Sequence, residues 1–280
     1  MMDAKQEQEA IGWQTGVWNR MSGVYLREID RRFAPVVEAL LDRAALQAGE
    51  HVLDLGTGTG AVAHRAAAIV GAGGQVVGVD VSPEMLALAR RDAAGPSQAS
   101  LMFVEGRAEA LPAGDATFDV VLACLSLMYV IDRDAAAREI ARVLKPRGRV
   151  VAAAWAGPEE CDIVLFQQTA GRFAGPPPVP GVGPGALADL GDFLRQLDAA
   201  GIDARVEAQT LGFEFPDFSS AWNALAGVTT AQLPAGVQHE AMEAVRAAMY
   251  TSHDESRHFR NLTRFIVGHP GARARSPAPR

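Results

Sequence analysis

Asp54 stands two residues before the first of three alternate glycines, in the stretch Val52-Leu53-Asp54-Leu55-Gly56-Thr57-Gly58-Thr59-Gly60. Apolar residues run into a carboxylate, the glycines follow, and an Ala- and Val-rich helical segment begins at Ala61. This is the pattern of a buried strand ending in a loop that must come very close to a ligand. Glycines remove the side chains that would hold the ligand off the backbone, and the helix start behind them offers unpaired N–H donors. The carboxylate at the strand tip suits a ligand carrying an ammonium or other cationic group, met directly or through ordered water. A second apolar run, Gln75-Val76-Val77-Gly78-Val79-Asp80, also ends in a carboxylate. It falls about where an acid grips the hydroxyls of a ribose.

Gly56, Gly58 and Ala61 also fit G-x-G-x-x-A, the dinucleotide fingerprint. Asp54 tells against that reading, because an acid two positions before the first glycine would face a pyrophosphate at a cost in repulsion. V-L-D-x-G-x-G-x-G resembles the motif of class I S-adenosylmethionine-dependent methyltransferases. Further along, Glu105-Gly106-Arg107-Ala108-Glu109-Ala110-Leu111-Pro112 resembles the G-D-A-E-x-L-P segment of the ubiquinone and menaquinone C-methyltransferase group, with Arg107 where an aspartate is usual. Phe118-Asp119-Val120-Val121 matches that group's F-D-x-V, and Leu144-Lys145-Pro146-Arg147-Gly148 resembles its L-K-P-G-G turn, with Arg147 replacing a glycine. The resemblance covers about Gly49 to Trp155.

The resemblance implies S-adenosylmethionine as cofactor and S-adenosylhomocysteine as product. It places Asp54, Gly56, Thr57, Gly58 and Gly60 around the methionine and ribose, Asp80 on both ribose hydroxyls, and Val81 and Met85 against the adenine. Cys124 and Leu125 would meet the methionine amino group through their backbone, and Tyr25, with Trp18 and Met21, would wall the pocket. At Arg107-Ala108 the family's aspartate accepts the adenine amino hydrogen. An arginine cannot accept it, so recognition would rest on the Ala108 backbone, ring packing or arginine stacking.

Methyl transfer from a sulfonium is an in-line displacement with an excellent leaving group, so alignment, water exclusion and sometimes proton removal are what a protein must supply. The candidate bases are Tyr129, just past the fourth strand, and His239 and His253 on the segment above the sheet. His258 and His64 read as surface or structural histidines, and Asp132 and Asp134 as caps of the helix near Ala135. No His/Cys cluster has metal-ligand spacing, so no metal is expected. Two rivals stay open. A nicotinamide-dependent short-chain oxidoreductase would need a Tyr-x-x-x-Lys pair, but the three tyrosines are followed at that spacing by Ile29, Arg133 and Asp254. A non-catalytic module that binds the cofactor or a metabolite would keep the same carboxylates.

The elements that must position these residues alternate. Strands are expected at His51–Leu55, Val76–Val79, Leu101–Val104, Val120–Leu125 and Val150–Trp155, with helices between them. Ser82-Pro83-Glu84 has the cap, the N1 proline and the early acid of a helix start. This is the signature of an α/β fold, a doubly wound, mostly parallel sheet, and ligands bind beyond the carboxyl ends of its strands. Asp54, Asp80, Arg107-Ala108 and Cys124-Leu125 all fall at those ends. Completing seven strands, Arg205–Phe213 and Phe259–Gly268 form a terminal hairpin.

Apolar spacing between Trp13 and Arg43 predicts two helices, broken at Pro35. Residues 156–185, rich in Gly and Pro, read as a mobile or extended insertion, 187–200 as a helix, and 218–250 as helices over the sheet. The expected organisation is an N-terminal helical cap at 1–48, a cofactor-binding core at 49–155, lid insertions plus the end of the sheet at 156–268, and a disordered tail at 269–280. Trp155, Phe166, Phe173, Phe215, Phe218, Trp222 and Met249 in these caps suggest a largely apolar acceptor.

A chain of 280 residues with 49% hydrophobic content can bury one large core. Its net charge of −7 gives no general attraction to phosphate backbones, so nucleic acid is not the expected partner. Two cysteines are too few for a disulfide framework or a thiolate metal site. With no bilayer-length apolar stretch and no signal pattern, a soluble cytoplasmic protein is expected, acting on a small molecule, with a homodimer left open.

Overall fold

The computed structural model describes residues 4–91, 99–175, 178–252 and 255–271. In chain order the elements are α1 (Ala4–Val24), a π-helical turn (Tyr25–Ile29), α2 (Asp30–Ala44), β1 (His51–Leu55), α3 (Ala61–Val70), β2 (Gln75–Asp80), α4 (Pro83–Ala89) and β3 (Ser100–Glu105). Then come β4 (Phe118–Cys124), a 3₁₀ turn (Leu127–Tyr129), α5 (Arg133–Val143), β5 (Leu144–Trp155), α6 (Asp162–Gly171) and α7 (Gly191–Ala199). The chain ends in β6 (Ile202–Phe215), α8 (Phe218–Leu225), α9 (Gly227–Thr230), α10 (Ala235–Met249) and β7 (Arg257–Pro270).

The seven strands form one sheet in the order β3-β2-β1-β4-β5-β7-β6, parallel except for β7, which runs antiparallel to both of its neighbours. Strands β1 and β4 carry apolar side chains toward both faces, as strands covered by helices on either side must, and Val52, Leu53, Val120, Val121 and Leu122 are fully buried. From β1 the order runs outward through β2 and β3 on one side and through β4 and β5 on the other. The switch point therefore lies between β1 and β4, where Asp54 is in register with Leu122. The loops leaving these two strands diverge there and open a crevice. The expected doubly wound, mostly parallel seven-stranded architecture is the one found, with α7 packed against α5 and β6.

Three details differ from the sequence-based expectation. Pro35 lies inside α2 and does not break it. Losing one backbone hydrogen bond there is outweighed by the packing of Phe33, Val36, Val37, Leu40 and Leu41, all buried, and the irregularity falls earlier, at Tyr25–Ile29. Residues 156–185 are not simply extended, because they contain α6, whose Val164 and Phe166 are fully buried. Strand β5 begins at Leu144, so the Lys-Pro-Arg-Gly segment lies within the strand, and the β4–β5 register shifts between Phe118 and Val120 to accommodate it.

Helix α1 crosses the carboxyl edge and packs on α4 and α9. Two hydrogen bonds fasten it near the crevice. The Ser82 hydroxyl, which caps α4 by accepting from the Met85 amide at 3.1 Å, donates to Asn19 Oδ1 at 2.6 Å. The Gln14 side-chain amide donates to the Tyr129 carbonyl.

Candidate cofactor and acceptor site

The loop after β1 is folded by its own glycines and by β2. The Gly56 and Thr57 amides both donate to the Val79 carbonyl, at 2.8 and 3.0 Å, which turns the chain back over the end of β2. Gly56 and Gly58 have φ of +73° and +54°, a region that disfavours a Cβ. Around Gly58 a Cβ would meet nothing within 4 Å, so open space lies against the backbone where a ligand could approach.

Asp80 organises this space. One carboxylate oxygen accepts from the Gly58 amide at 2.8 Å and the other from the Ser82 amide at 2.9 Å. It joins the glycine loop to the start of α4. Burial pushes its pKa up, against the opposing pull of the Ser82, Gly58 and Val81 backbone N–H groups. Asp54 lies deeper, 1% exposed, with one oxygen accepting from the Thr57 hydroxyl at 2.6 Å and the other without a hydrogen-bond partner among the described residues. Burial raises its pKa to about 7; the Thr57 hydroxyl and the Ala63 amide oppose the rise, and the nearby Asp80 charge adds to it.

That shift fixes the sign of a pH effect. An unfolded aspartate titrates near pH 4, whereas Asp54 in the fold titrates about 7, so between these values the folded chain binds more protons than the unfolded one. The Asp54 contribution is therefore neutral below about pH 4, destabilises increasingly as pH rises to about 7, and is constant above that. Asp54→Asn keeps an acceptor for Thr57 and removes the charge. It is expected to gain stability over the parent by on the order of 2 kcal/mol at pH 8 and by clearly less at pH 5. Urea denaturation at the two pH values reads this difference; equal gains at both would refute the assignment.

The crevice wall is formed by Gly56, Gly58, Asp80, Val81, Met85, Ala108, Cys124, Leu125, Tyr129 and, from the helical cap, Tyr25 and Trp18. The structure thus brings most of the sequence-predicted binding residues to one cavity. Leu125 has a positive φ of 56°, a strained conformation for a leucine that turns the chain out of β4; its amide donates to the Ala153 carbonyl at 2.9 Å. The Ser126 hydroxyl ties this turn to the Leu55 carbonyl at 2.6 Å, so the loops on either side of the switch point are bonded to each other. Trp18 meets Tyr129 edge to face at 4.8 Å between centroids.

Other predicted residues lie elsewhere. Arg107 is not on this wall, because its guanidinium is drawn to Glu7 at 3.0 Å and Glu109 at 3.4 Å. Its neighbours Gly106 and Ala108 line the cavity instead. Thr57 and Gly60 stand behind the wall, Thr57 bonded to Asp54, Gly60 starting α3. His239 is exposed on α10 and away from the cavity, because that face of α10 turns to solvent; His253 lies outside the described residues. Sequence reasoning missed Glu109, Gln14 and Ser126 on the wall. Glu109 sat within a quoted motif and could have been found. Gln14 lies in a polar stretch of α1 with no signal to single it out.

A second cavity lies on the other side of Tyr129. A narrow apolar throat of about 50 Å³ shares Trp18, Tyr25, Leu125 and Tyr129 with the first cavity and is walled further by Phe33, Trp155 and Leu225. Of the aromatic residues expected to face an acceptor, Trp155 lines this throat, while Phe166, Phe215 and Phe218 are buried in the packing behind it. Burial raises the pKa of Tyr129 well above the usual phenol value, and that of Tyr25 likewise, so both stay protonated near neutrality.

A crevice at the switch point of this sheet, with carboxylates near the tips of two adjacent strands, is where an open α/β fold takes its ligand. Residues 53–152 match the family model described as a methyltransferase domain. The chain is 39% identical over 136 residues to nocamycin O-methyltransferase of Saccharothrix syringae, covering 48% of each chain. It is 36% identical over 144 residues to the ubiquinone/menaquinone biosynthesis C-methyltransferase UbiE of Hahella chejuensis, covering 51% of this chain and 55% of the relative. The chain thus spans about half the length of the curated relatives it matches. Among solved structures, the YcgJ protein of Bacillus subtilis superposes with a TM-score of 0.61 at 21% identity, over 84% of this chain and 97% of the other. Among the described residues, no helix is long and apolar enough to cross a membrane.

Proposed function

We propose that this protein is an S-adenosylmethionine-dependent methyltransferase acting on an oxygen, nitrogen or carbon centre of a small, largely apolar molecule. The observation that carries the reading is the adjacency of a cavity built on Gly56, Gly58 and Asp80 to a mostly apolar one that shares its Trp18, Tyr25, Leu125 and Tyr129 wall. The residues fit the cofactor: open space beside the Gly58 backbone, an anionic acceptor in Asp80, and apolar side chains at Val81 and Met85 for a flat ring. When bound, S-adenosylmethionine supplies a methyl group on a cationic sulfur, poised for in-line displacement.

The chain's own part is to hold and exclude. Asp80 would accept from the ribose hydroxyls, and the strained turn at Cys124-Leu125 would present backbone groups to the amino acid end. Asp54 and Thr57 would act from behind, fixing the loop and contributing negative potential toward the sulfonium. Trp18, Tyr25 and Tyr129 would shut water out of the space between the cavity and the throat. Tyr129, protonated near neutrality, would serve as a hydrogen-bond donor to the acceptor and not as a base. In this scheme residues 1–48 act as the cap, 49–155 as the cofactor core, and 156–268 supply the lid insertions over the acceptor together with the end of the sheet.

Isothermal titration calorimetry with S-adenosylmethionine, S-adenosylhomocysteine and NADH tests the proposal. Binding of the two adenosyl ligands and not of NADH is the expected result. Tight NADH binding with no response to the adenosyl ligands would replace it with the dinucleotide reading. Adenosyl binding without methyl transfer to any of a panel of phenols, amines and acids would leave a binding module.

A further inference from the structure

The throat has a second neighbour on its far side. Across Tyr129, Pro184 and Val228, which line both, it borders an outer cavity of about 690 Å³ between α1, the segment after α6 and the α9–α10 junction. This outer cavity has an unusual charge. Its described lining includes two arginines, Arg20 from α1 and Arg172 from the end of α6, and no aspartate or glutamate. In a chain with 33 acidic against 26 basic residues, a wall with two guanidiniums and no carboxylate is the reverse of the average surface.

Among the described residues no carboxylate stands within ion-pair distance of either arginine, although Arg32, Arg43, Arg107, Arg142, Arg149 and Arg257 all have such partners. What Arg20 meets is the Gln232 side chain, whose amide, turned so that its oxygen faces the guanidinium, accepts at 2.6 Å. A neutral amide fixes the direction of the guanidinium and leaves its charge available. The rest of the wall is mostly small or apolar, with Trp13, Val17 and Leu233 beside a glycine-rich run and Gln168, Thr229 and Tyr129 as its neutral polar groups. The Gly183 amide donates to the Met128 carbonyl at 3.0 Å and holds that run next to Tyr129.

We infer that the outer cavity binds an anionic group, a carboxylate or sulfonate class of charge, at the far end of an elongated acceptor. Its reactive end lies in the apolar throat beside Tyr129. Arg20 and Arg172 pair with the anion, and the Trp13, Val17 and Leu233 surface covers the part in between. The inference deepens the methyl-transfer reading by giving the acceptor a charge and a direction, and it rests on that reading only for the word acceptor. Guanidinium suits the task because its planar donors match two oxygens at once. At the mouth of a cavity, partly screened by solvent, the pair should discriminate by a modest factor and not an absolute one.

The test uses two dyes that share one ring system and differ in charge: 8-anilinonaphthalene-1-sulfonate and its uncharged counterpart N-phenyl-1-naphthylamine. Both are titrated by fluorescence into the full chain, into Arg20→Gln, Arg172→Gln and the double variant, and into Arg260→Gln as a surface control. The parent and the control should bind the sulfonate roughly tenfold more tightly than the neutral dye, and the double variant should lose that preference while keeping its affinity for the neutral dye. Equal affinity of the parent for the two dyes, or a sulfonate preference that survives in the double variant, would overturn the inference. Calorimetric binding of S-adenosylhomocysteine to the same samples separates the two questions. If it fails while the dye preference holds, the methyl-transfer reading falls and the anion site stands; if it succeeds without a dye preference, the anion site alone falls.

Discussion

Asp80→Ala should weaken S-adenosylhomocysteine binding by roughly a hundredfold, with a much smaller change in melting temperature. The carboxylate has acceptor capacity for about four hydrogen bonds. Two are already used inside the protein, by the Gly58 amide at 2.8 Å and the Ser82 amide at 2.9 Å, and they orient the group so that the remaining capacity faces the cavity it lines. A ribose offers two hydroxyl donors. Hydrogen bonds to a charged group contribute about 1.5 kcal/mol or more each, so losing two costs about 3 kcal/mol, near two decades in affinity. The free protein feels the change less, because the same substitution also removes a charge whose pKa is raised by burial. Asp80→Asn should fall between, since it keeps one acceptor oxygen but turns an NH₂ toward a backbone amide that is itself a donor. Calorimetry and thermal melting on the three proteins check the pattern. An Asp80→Ala protein that binds S-adenosylhomocysteine like the parent would remove the ribose role and with it the strongest support for the adenosyl reading.

The part of the site legible in the sequence was the part built from backbone and strand ends. Glycines at alternate positions and acids at the ends of apolar runs have consequences set within a few residues, so Gly56, Gly58, Asp80 and Leu125 were found and do share a cavity. What depended on partners far along the chain was not legible. Arg107 was read toward the cavity, but Glu7, a hundred positions earlier, draws it away. Pro35 was read as a break on local grounds, and the burial of Phe33, Val36 and Val37 against the sheet prevents it. Helix α6 was hidden by the glycines and prolines that follow it, although Ile163, Val164 and Phe166 pack into the core. The histidines illustrate the converse error. A titratable residue on a segment above the sheet looked chemical, and His239 turned out to face solvent because nothing in its local sequence fixed which way α10 rolls.

Gly56→Ala tests whether the two loops at the switch point are one mechanical unit. The substituted residue must keep φ near +73°, a cost of about 1–2 kcal/mol for any residue with a Cβ. The new methyl would also stand 2.4 Å from Ser126 Cβ and 3.0 Å from its Oγ, far inside contact distance. Ser126 cannot rotate freely away, because its hydroxyl donates to the Leu55 carbonyl at 2.6 Å, a bond worth about 1 kcal/mol. Overpacking of this kind costs a further 1–3 kcal/mol or so, giving an expected total loss of about 3–4 kcal/mol in urea denaturation. Ser126→Gly alone should lose about 1 kcal/mol. The double variant removes the clash but not the backbone strain, so it should be less destabilised than the sum of the singles by about 1–2 kcal/mol. Additivity would mean that the β1 and β4 loops yield independently and that the contact between them does not shape the cavity. A positive coupling would show that Gly56 is required by a side chain seventy residues away as well as by any ligand, which separates a structural reason for this glycine from the functional one its motif suggests.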